Sequence, residues 1–247
     1  MTRPYSAFAQ VYDRFVADGP QAAWLDWLTR HLPLSSMDAA DVGCGTGRVT
    51  VALAQSCRRV VGVDRSEEML AEAMARAQRA RVRVDWLCQD MRRLRLPYPV
   101  DLVVATCDSV NYLLGARDVA HMLARVHAAL RPGGWLCFDV LGPKRLQRLT
   151  DGVWHDIRDD AAAVFTSRVD AHGRITYDLT LFLAEPDGRY RRVDEVHCQQ
   201  YHEPRDLAAW LRSCGFTEVQ MAGDFGRAPW TEADRVVITA RKPVASE

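Results

Sequence analysis

Between Asp41 and Thr50 the chain reads DVGCGTGRVT, with glycines at 43, 45 and 47 behind an acidic residue. Glycines this dense let a backbone turn with positive φ, or approach a ligand that a Cβ would hold off. A dinucleotide is one ligand for such a turn, but its fingerprint asks for a wider gap before the last glycine. Two more carboxylates follow at informative intervals. Asp64 comes about twenty residues after the turn, where a carboxylate can accept both hydroxyls of a ribose. Asp90 can accept from an exocyclic amine while the neighbouring Met91 covers a flat ring. Aspartates in such places also serve as helix caps and turn formers. Three in succession behind a glycine turn point to a nucleoside site.

A second group lies in YRRVDEVHCQQY. Period two puts Glu195, His197, Gln199 and Tyr201 on one face and Val196, Cys198 and Gln200 on the other. His197, with an unperturbed pKa near neutrality, is the candidate general base. Glu195 is placed to orient its ring or to bind an ammonium, and His202 is the reserve base. Arg174 and Tyr177, on the preceding segment, reach towards the same wall. A solvated sheet face shows the same alternation.

The elements that must carry these residues alternate. Helical spacing runs from Tyr5 to Arg30, broken at Asp18-Gly-Pro, with Phe8, Val11, Tyr12 and Phe15 on one stripe and Trp24, Leu25 and Leu28 on the next. A strand from Met37 to Val42 enters the glycine turn, and Thr46 is expected to cap the helix that follows. RRVVGVD is a second strand; Ser66 caps a helix to about Arg79. RVRVDWLCQD, DLVVAT and WLCFDV supply three more strands, and a helix from Val119 to Leu130 stops at RPGG. This βαβ rhythm implies a parallel sheet with right-handed crossovers. After Leu141 the rhythm changes to about three antiparallel strands, VFTSRVD, RITYDLTLFLA and YRRVDEVHCQQY. A helix opened by Pro204 and two terminal strands, FTEVQM and DRVVITA, close the chain. Ligands of open parallel sheets lie beyond the carboxyl ends of the strands, and Asp41 to Gly47, Asp64, Asp90 and the segment from Thr106 to Tyr112 all fall there.

DVGCGTGRVT resembles the first motif of the class I S-adenosylmethionine-dependent methyltransferases. VGVDRSEEML is similar to their ribose segment, LCQDMRRL to their adenine segment, DLVVATCDSVNYLL to the fourth-strand motif and LRPGGWLCFD to the segment around the fifth strand. The resemblance covers about Asp41 to Asp139. It implies an α/β fold with a Rossmann-like seven-stranded, mostly parallel sheet of order 3-2-1-4-5-7-6, an N-terminal helical lid and a small inserted antiparallel sheet. The corresponding spans are 1–32 for the lid, 33–141 for the S-adenosylmethionine-binding core, 142–202 for the acceptor-site insertion and 203–247 for the closing helix and strand pair. By the same resemblance the cofactor is S-adenosylmethionine, held by Tyr12, Asp41, Gly43, Cys44, Gly45, Gly47, Asp64, Arg65, Met69, Asp90, Met91, Thr106 and Cys107. The acceptor falls to Tyr5, Asp108, Asn111, Tyr112, Arg174, Tyr177, Glu195, His197, Gln199 and Tyr201. His197, Glu195 and Tyr12 are the catalytic candidates, Tyr12 as the lid over the sulfonium.

The segment CDSVNY lacks the prolines with which base methyltransferases grip a flipped base, and Cys107 follows Thr106 where a cytosine-modifying nucleophile follows proline. Lys+Arg and Asp+Glu both number 32, so no basic excess draws a polyanion. A small metabolite methylated on N or O is therefore the expected acceptor, with RNA or protein as the alternative and a noncatalytic cofactor-binding protein as another. The seven cysteines are dispersed without CxxC or zinc-ligand spacing, which suits reduced thiols in a cytoplasm. No apolar run reaches membrane-spanning length, so a soluble monomer or homodimer is expected.

Overall fold

The computed structural model describes residue 9 and residues 12–15, 19–150 and 152–244. Five parallel strands build the carboxyl edge on which the site rests: β1 (Asp38–Val42), β2 (Arg59–Asp64), β3 (Asp85–Cys88), β4 (Val100–Ala105) and β5 (Leu130–Leu141). Two strands late in the chain, β10 (Thr217–Gly223) and β11 (Arg235–Arg241), complete the sheet in the order β3-β2-β1-β4-β5-β11-β10, with β11 antiparallel to β5. This is the expected order.

Both faces of the sheet are covered, which is why its strands are almost wholly apolar. On one face Trp24 and Leu28 of α2 (Gln21–His31) and Val49 and Leu53 of α3 (Arg48–Ser56) pack on Ala39, Val60, Leu102 and Val104. On the other, Val119, Met122 and Leu123 of α5 (Ala116–Ala129) and Leu207 and Leu211 of α7 (Pro204–Ser213) pack on Val61, Val103 and Phe138. Helix α4 (Glu67–Ala80) follows β2; Ser66 caps it as expected, its Oγ accepting from the Met69 amide at 3.1 Å.

Thr46 does not cap α3. Gly47 holds the N-cap position at φ +75°, and a Cβ there would meet the Ala73 Cβ at 2.8 Å. Thr46 instead donates from Oγ1 to Asp13 Oδ1 at 2.8 Å, on the short helix α1 (Tyr12–Phe15). Helix α5 ends at Ala129, one residue before its expected end, and β5 runs straight through RPGG, absorbing the glycines at a register shift against β4.

The inserted sheet has four strands rather than about three: β6 (Gly152–Ile157), β7 (Ala161–Val169), β8 (Arg174–Ala184) and β9 (Tyr190–Gln200). Strand β6 escapes the sequence reading because it is an edge with no buried residue, so it shows no alternation. A short helix, α6 (Pro143–Leu149), escapes for the same reason: only Leu149 is buried. Phe15 and Tyr12 of α1 pack on the inner face of this sheet, against Ala161, Ala163, Leu179 and Leu181.

Candidate active site

The turn after β1 is forced by backbone geometry. Gly43, Gly45 and Gly47 all have positive φ. At Gly43 a Cβ would lie 2.8 Å from the Ser109 Cβ, whereas at Gly45 it would meet nothing within 4 Å. The first glycine thus lets the turn touch the loop after β4, and the second leaves open space. That space is a cavity of about 370 Å³, bordered by the glycine turn, the ends of β2 to β4, and Tyr12 of the lid helix.

Asp64 holds the turn in shape. Its Oδ2 accepts from the Gly45 amide at 2.8 Å and its Oδ1 from the Ser66 amide at 2.9 Å. Burial pushes this carboxyl up, while those backbone donors pull it down. Asp90 caps the 3-10 turn Met91–Arg93 through the Arg92 amide at 2.9 Å. The Arg92 guanidinium beside it holds its carboxyl below the usual range, so it stays an acceptor. Arg65, Met69, Met91, Cys44, Thr106 and Cys107 also line the cavity. Burial pushes the Cys107 thiol up to about 11, which leaves a protonated wall residue rather than a nucleophile.

Two expected members stand behind the wall. Gly47 serves the helix start and does not line the cavity. Asp41 is wholly buried beneath the turn, accepting from Thr50 Oγ1 at 2.6 Å, and burial pushes its carboxyl up to about 7. That displacement sets a pH dependence. The folded chain keeps the Asp41 proton while the unfolded chain, with its value near 3.8, loses it. Stability from this group is therefore full below pH 4 and declines as pH rises towards 7. Asp41→Asn should flatten that window. Urea unfolding of both proteins at pH 5 and pH 8 checks this, and parallel changes in the two would refute it.

Residues not named as cofactor contacts from the sequence also line the cavity, among them Gln21, Arg48, Ser66, Gln89, Arg92 and Ser109. Gln21 and Ser109 matter most. Both are buried, and Gln21 Oε1 and Ser109 Oγ have no hydrogen-bond partner among the described residues. Unsatisfied polar atoms at a cavity wall are costly unless a bound group meets them. A ligand with an ammonium and a carboxylate at one end suits them. Ser109 falls within the segment from Thr106 to Tyr112 expected at the strand ends, whereas nothing in the sequence marks Gln21.

The expected acceptor wall is set back from this cavity. Glu195, His197 and Gln199 do share the inner face of β9, but that face packs onto the loop after β4 and none of the three lines the cavity. Gln199 Nε2 donates to Asp108 Oδ2 at 2.8 Å, and Tyr177 Oη donates to Gln199 Oε1 at 3.0 Å. Asn111 is wholly buried, its Nδ2 donating to the Gln200 carbonyl at 2.8 Å and its Oδ1 accepting from the Leu141 amide at 3.1 Å. Arg174 donates to Gln200 and to the Leu114 carbonyl, and Tyr201 donates to Glu203. His202 gives Nε2 to the Leu113 carbonyl at 2.7 Å, burial lowers its pKa, and the ring does not line the cavity. Of the acceptor set only Tyr112 lines the cavity, and Tyr5 lies outside the described residues. Tyr112 Oη is 3.1 Å from His197 Nδ1, and His197 Nε2 is 3.1 Å from Glu195 Oε2.

One buried carboxylate ties these parts together. Asp139, at the end of β5, accepts from the Cys107 and Asp108 amides at 2.7 and 2.9 Å, both residues having positive φ. It also accepts from Trp24 Nε1 of α2 at 2.7 Å and pairs with Arg235 of β11.

Comparison with known proteins agrees with this geometry. A family model described as "Methyltransferase domain" matches residues 39–134. A protein of Geobacillus sp. (strain WCH70), named "Putative methyltransferase", is 33% identical over 245 residues, covering 96% of this chain and 99% of its own. The chain belongs to the class I S-adenosylmethionine-dependent methyltransferases. This methyltransferase uses S-adenosylmethionine as its cofactor. Its fold is that of an S-adenosylmethionine-dependent methyltransferase from Clostridium acetobutylicum ATCC 824, at TM-score 0.86 and 22% identity over 98% of this chain and 100% of that one. The sugar N-methyltransferase KedS8 from Streptoalloteichus sp ATCC 53650 is similar at TM-score 0.79 and 20% identity, covering 98% and 94%. No helix among the described residues of the methyltransferase is long and apolar enough to cross a membrane.

Proposed function

We propose that this methyltransferase moves a methyl group to a nitrogen or oxygen of a small metabolite. The observation that carries the proposal is enclosure. Tyr12 borders the cavity while its helix packs on the inserted sheet, so strand ends and lid bound a space of about 370 Å³. With the cofactor in that space, the lid and strand ends leave the acceptor to approach as a compact molecule rather than a polymer. A sugar N-methyltransferase among the similar structures supports the same class of acceptor.

When bound, the cofactor supplies an electrophilic methyl on a sulfonium. The residues of the chain bind, align and exclude water. Asp64 would take the ribose hydroxyls and Asp90 the adenine amine, with Met91 against the ring. Gln21 Oε1 and Ser109 Oγ would meet the amino acid end beside the glycine turn. Arg65, Met69, Cys44, Thr106 and Cys107 would form the remaining wall, and Tyr12 would cover the reacting centre. Displacing water there strengthens every electrostatic contact, and alignment removes much of the entropic cost of the step.

Titration calorimetry is expected to show one-to-one binding of S-adenosylmethionine and of S-adenosylhomocysteine at about micromolar Kd, roughly −8 kcal/mol. A screen of small amines, phenols, carboxylates and short RNAs with methyl-labelled cofactor then identifies the acceptor class. Label in an amine or a hydroxyl compound supports the proposal; label in RNA alone overturns it.

A further inference from the structure

We infer that Tyr112 is the group that contacts the acceptor's departing proton, and that His197 and Glu195 act behind it as a buried relay. The inference rests on the small N- or O-acceptor reading and adds a proton path to it.

The geometry runs in one line. Tyr112 lines the cavity. Its hydroxyl meets His197 Nδ1 at 3.1 Å, and the opposite ring nitrogen meets Glu195 Oε2 at 3.1 Å. The His197 and Glu195 side chains are 7% and 0% exposed, so the chain of bonds enters from the cavity and ends in the protein. In this relay Glu195 is the ionised, acceptor-only partner, and the His197 ring carries its proton on Nε2. Nδ1 then offers its lone pair to the Tyr112 O–H. The relay assigns the phenol oxygen the role of acceptor towards the N–H or O–H of the molecule to be methylated.

During transfer the methyl–sulfur bond breaks as the methyl–nitrogen or methyl–oxygen bond forms, and the electron pair stays on sulfur. The acceptor's proton passes to Tyr112 Oη while the Tyr112 proton moves to His197 Nδ1. The imidazolium lies against the Glu195 carboxylate and returns its proton to solvent after product leaves. The other ionisable groups near the line are otherwise engaged. Asp108 accepts from Gln199 and pairs with Arg235, Tyr177 opposite His197 on β8 donates to Gln199, and Arg174 donates to Gln200 and Leu114. Burial pushes the Tyr177 phenol up, so it stays protonated. Asp118 borders the cavity and pairs with Arg92.

Two measurements test the relay. The first needs no acceptor: long-range proton–nitrogen spectra of the methyltransferase saturated with S-adenosylhomocysteine. His197 is expected as the neutral Nε2–H tautomer, with its Nδ1 resonance shifted in Tyr112→Phe and its tautomer preference lost in Glu195→Gln. A proton on Nδ1 in the wild type overturns the relay. The second uses the amine or phenol labelled in the screen. Tyr112→Phe should lower kcat by about 10²–10⁴-fold near neutral pH, with cofactor affinity by calorimetry unchanged. The loss should shrink as pH rises and the acceptor sheds its own proton, and His197→Gln should follow the same profile. A loss that is constant with pH, or confined to KM, makes the tyrosine a wall residue and overturns the inference. Failure of the small-acceptor reading shows itself earlier, as RNA labelling in the screen before any variant is made.

Discussion

Replacing Asp139 by alanine is expected to cost about 3–5 kcal/mol of folding stability. The carboxylate is wholly buried and meets four groups from three segments: Trp24 Nε1, the Cys107 amide, the Asp108 amide and the Arg235 guanidinium. Removing it leaves the Arg235 guanidinium, only 14% exposed, with Asp108 as its remaining carboxylate partner and orphans two amides in left-handed residues. The under-compensated buried charge and the two orphaned amides together make up that cost. Arg235→Met in the Asp139→Ala background removes the under-compensated charge, so the double variant should recover part of the loss. Urea unfolding of the two single variants and the pair measures this coupling. A single variant within 1 kcal/mol of wild type would show that water reaches the cluster and that the hub is dispensable.

Asp64→Ala is expected to weaken S-adenosylmethionine binding about tenfold to a hundredfold, the loss of charged-acceptor hydrogen bonds of about 1.5–3 kcal/mol. The structure adds a second effect. The same carboxylate accepts the Gly45 and Ser66 amides, so alanine also loosens the glycine turn. Asp64→Asn separates the two. It keeps one acceptor oxygen for an amide and presents a donor where the ribose hydroxyls need an acceptor. Calorimetry with cofactor and thermal unfolding without it should therefore diverge for asparagine and move together for alanine. Wild-type affinity in both variants would remove this residue from the cofactor site.

The core of this fold is written locally. Each parallel strand is a short apolar run and each helix a stripe, so β1 to β5 and their order could be placed from pattern and motif. The glycine turn is equally plain because positive φ demands glycine whatever lies around it. What failed to show depends on partners distant in the chain. Gln21 and Ser109 are ordinary residues whose importance comes from having no partner at a cavity wall. Thr46 looks like a cap until Asp13 takes its hydroxyl. Period two correctly grouped Glu195, His197 and Gln199 on one face of β9. It could not say that this face is pressed against the loop after β4, leaving Tyr112 to face the cavity. Alternation reports which residues share a side, not what lies opposite.

The place of β11 in the sheet bears on how the chain reaches this structure at all. It pairs along its whole length with β5, Arg235 opposite Leu141 and Arg241 opposite Trp135, yet it is made about a hundred residues later. Closing a loop of that length is slow because its entropy must be spent before any contact repays it. Until then, as synthesis proceeds from the N-terminus, β5 presents Leu136, Phe138 and Val140 along an open strand edge, the kind of surface on which nascent chains associate. The inserted sheet, whose strands pair in chain order, has every contact it needs while that edge is still waiting. Refolding should accordingly run in two phases, a fast one in which the insertion gains structure and a slow one in which β11 docks and the Asp139–Arg235 pair forms.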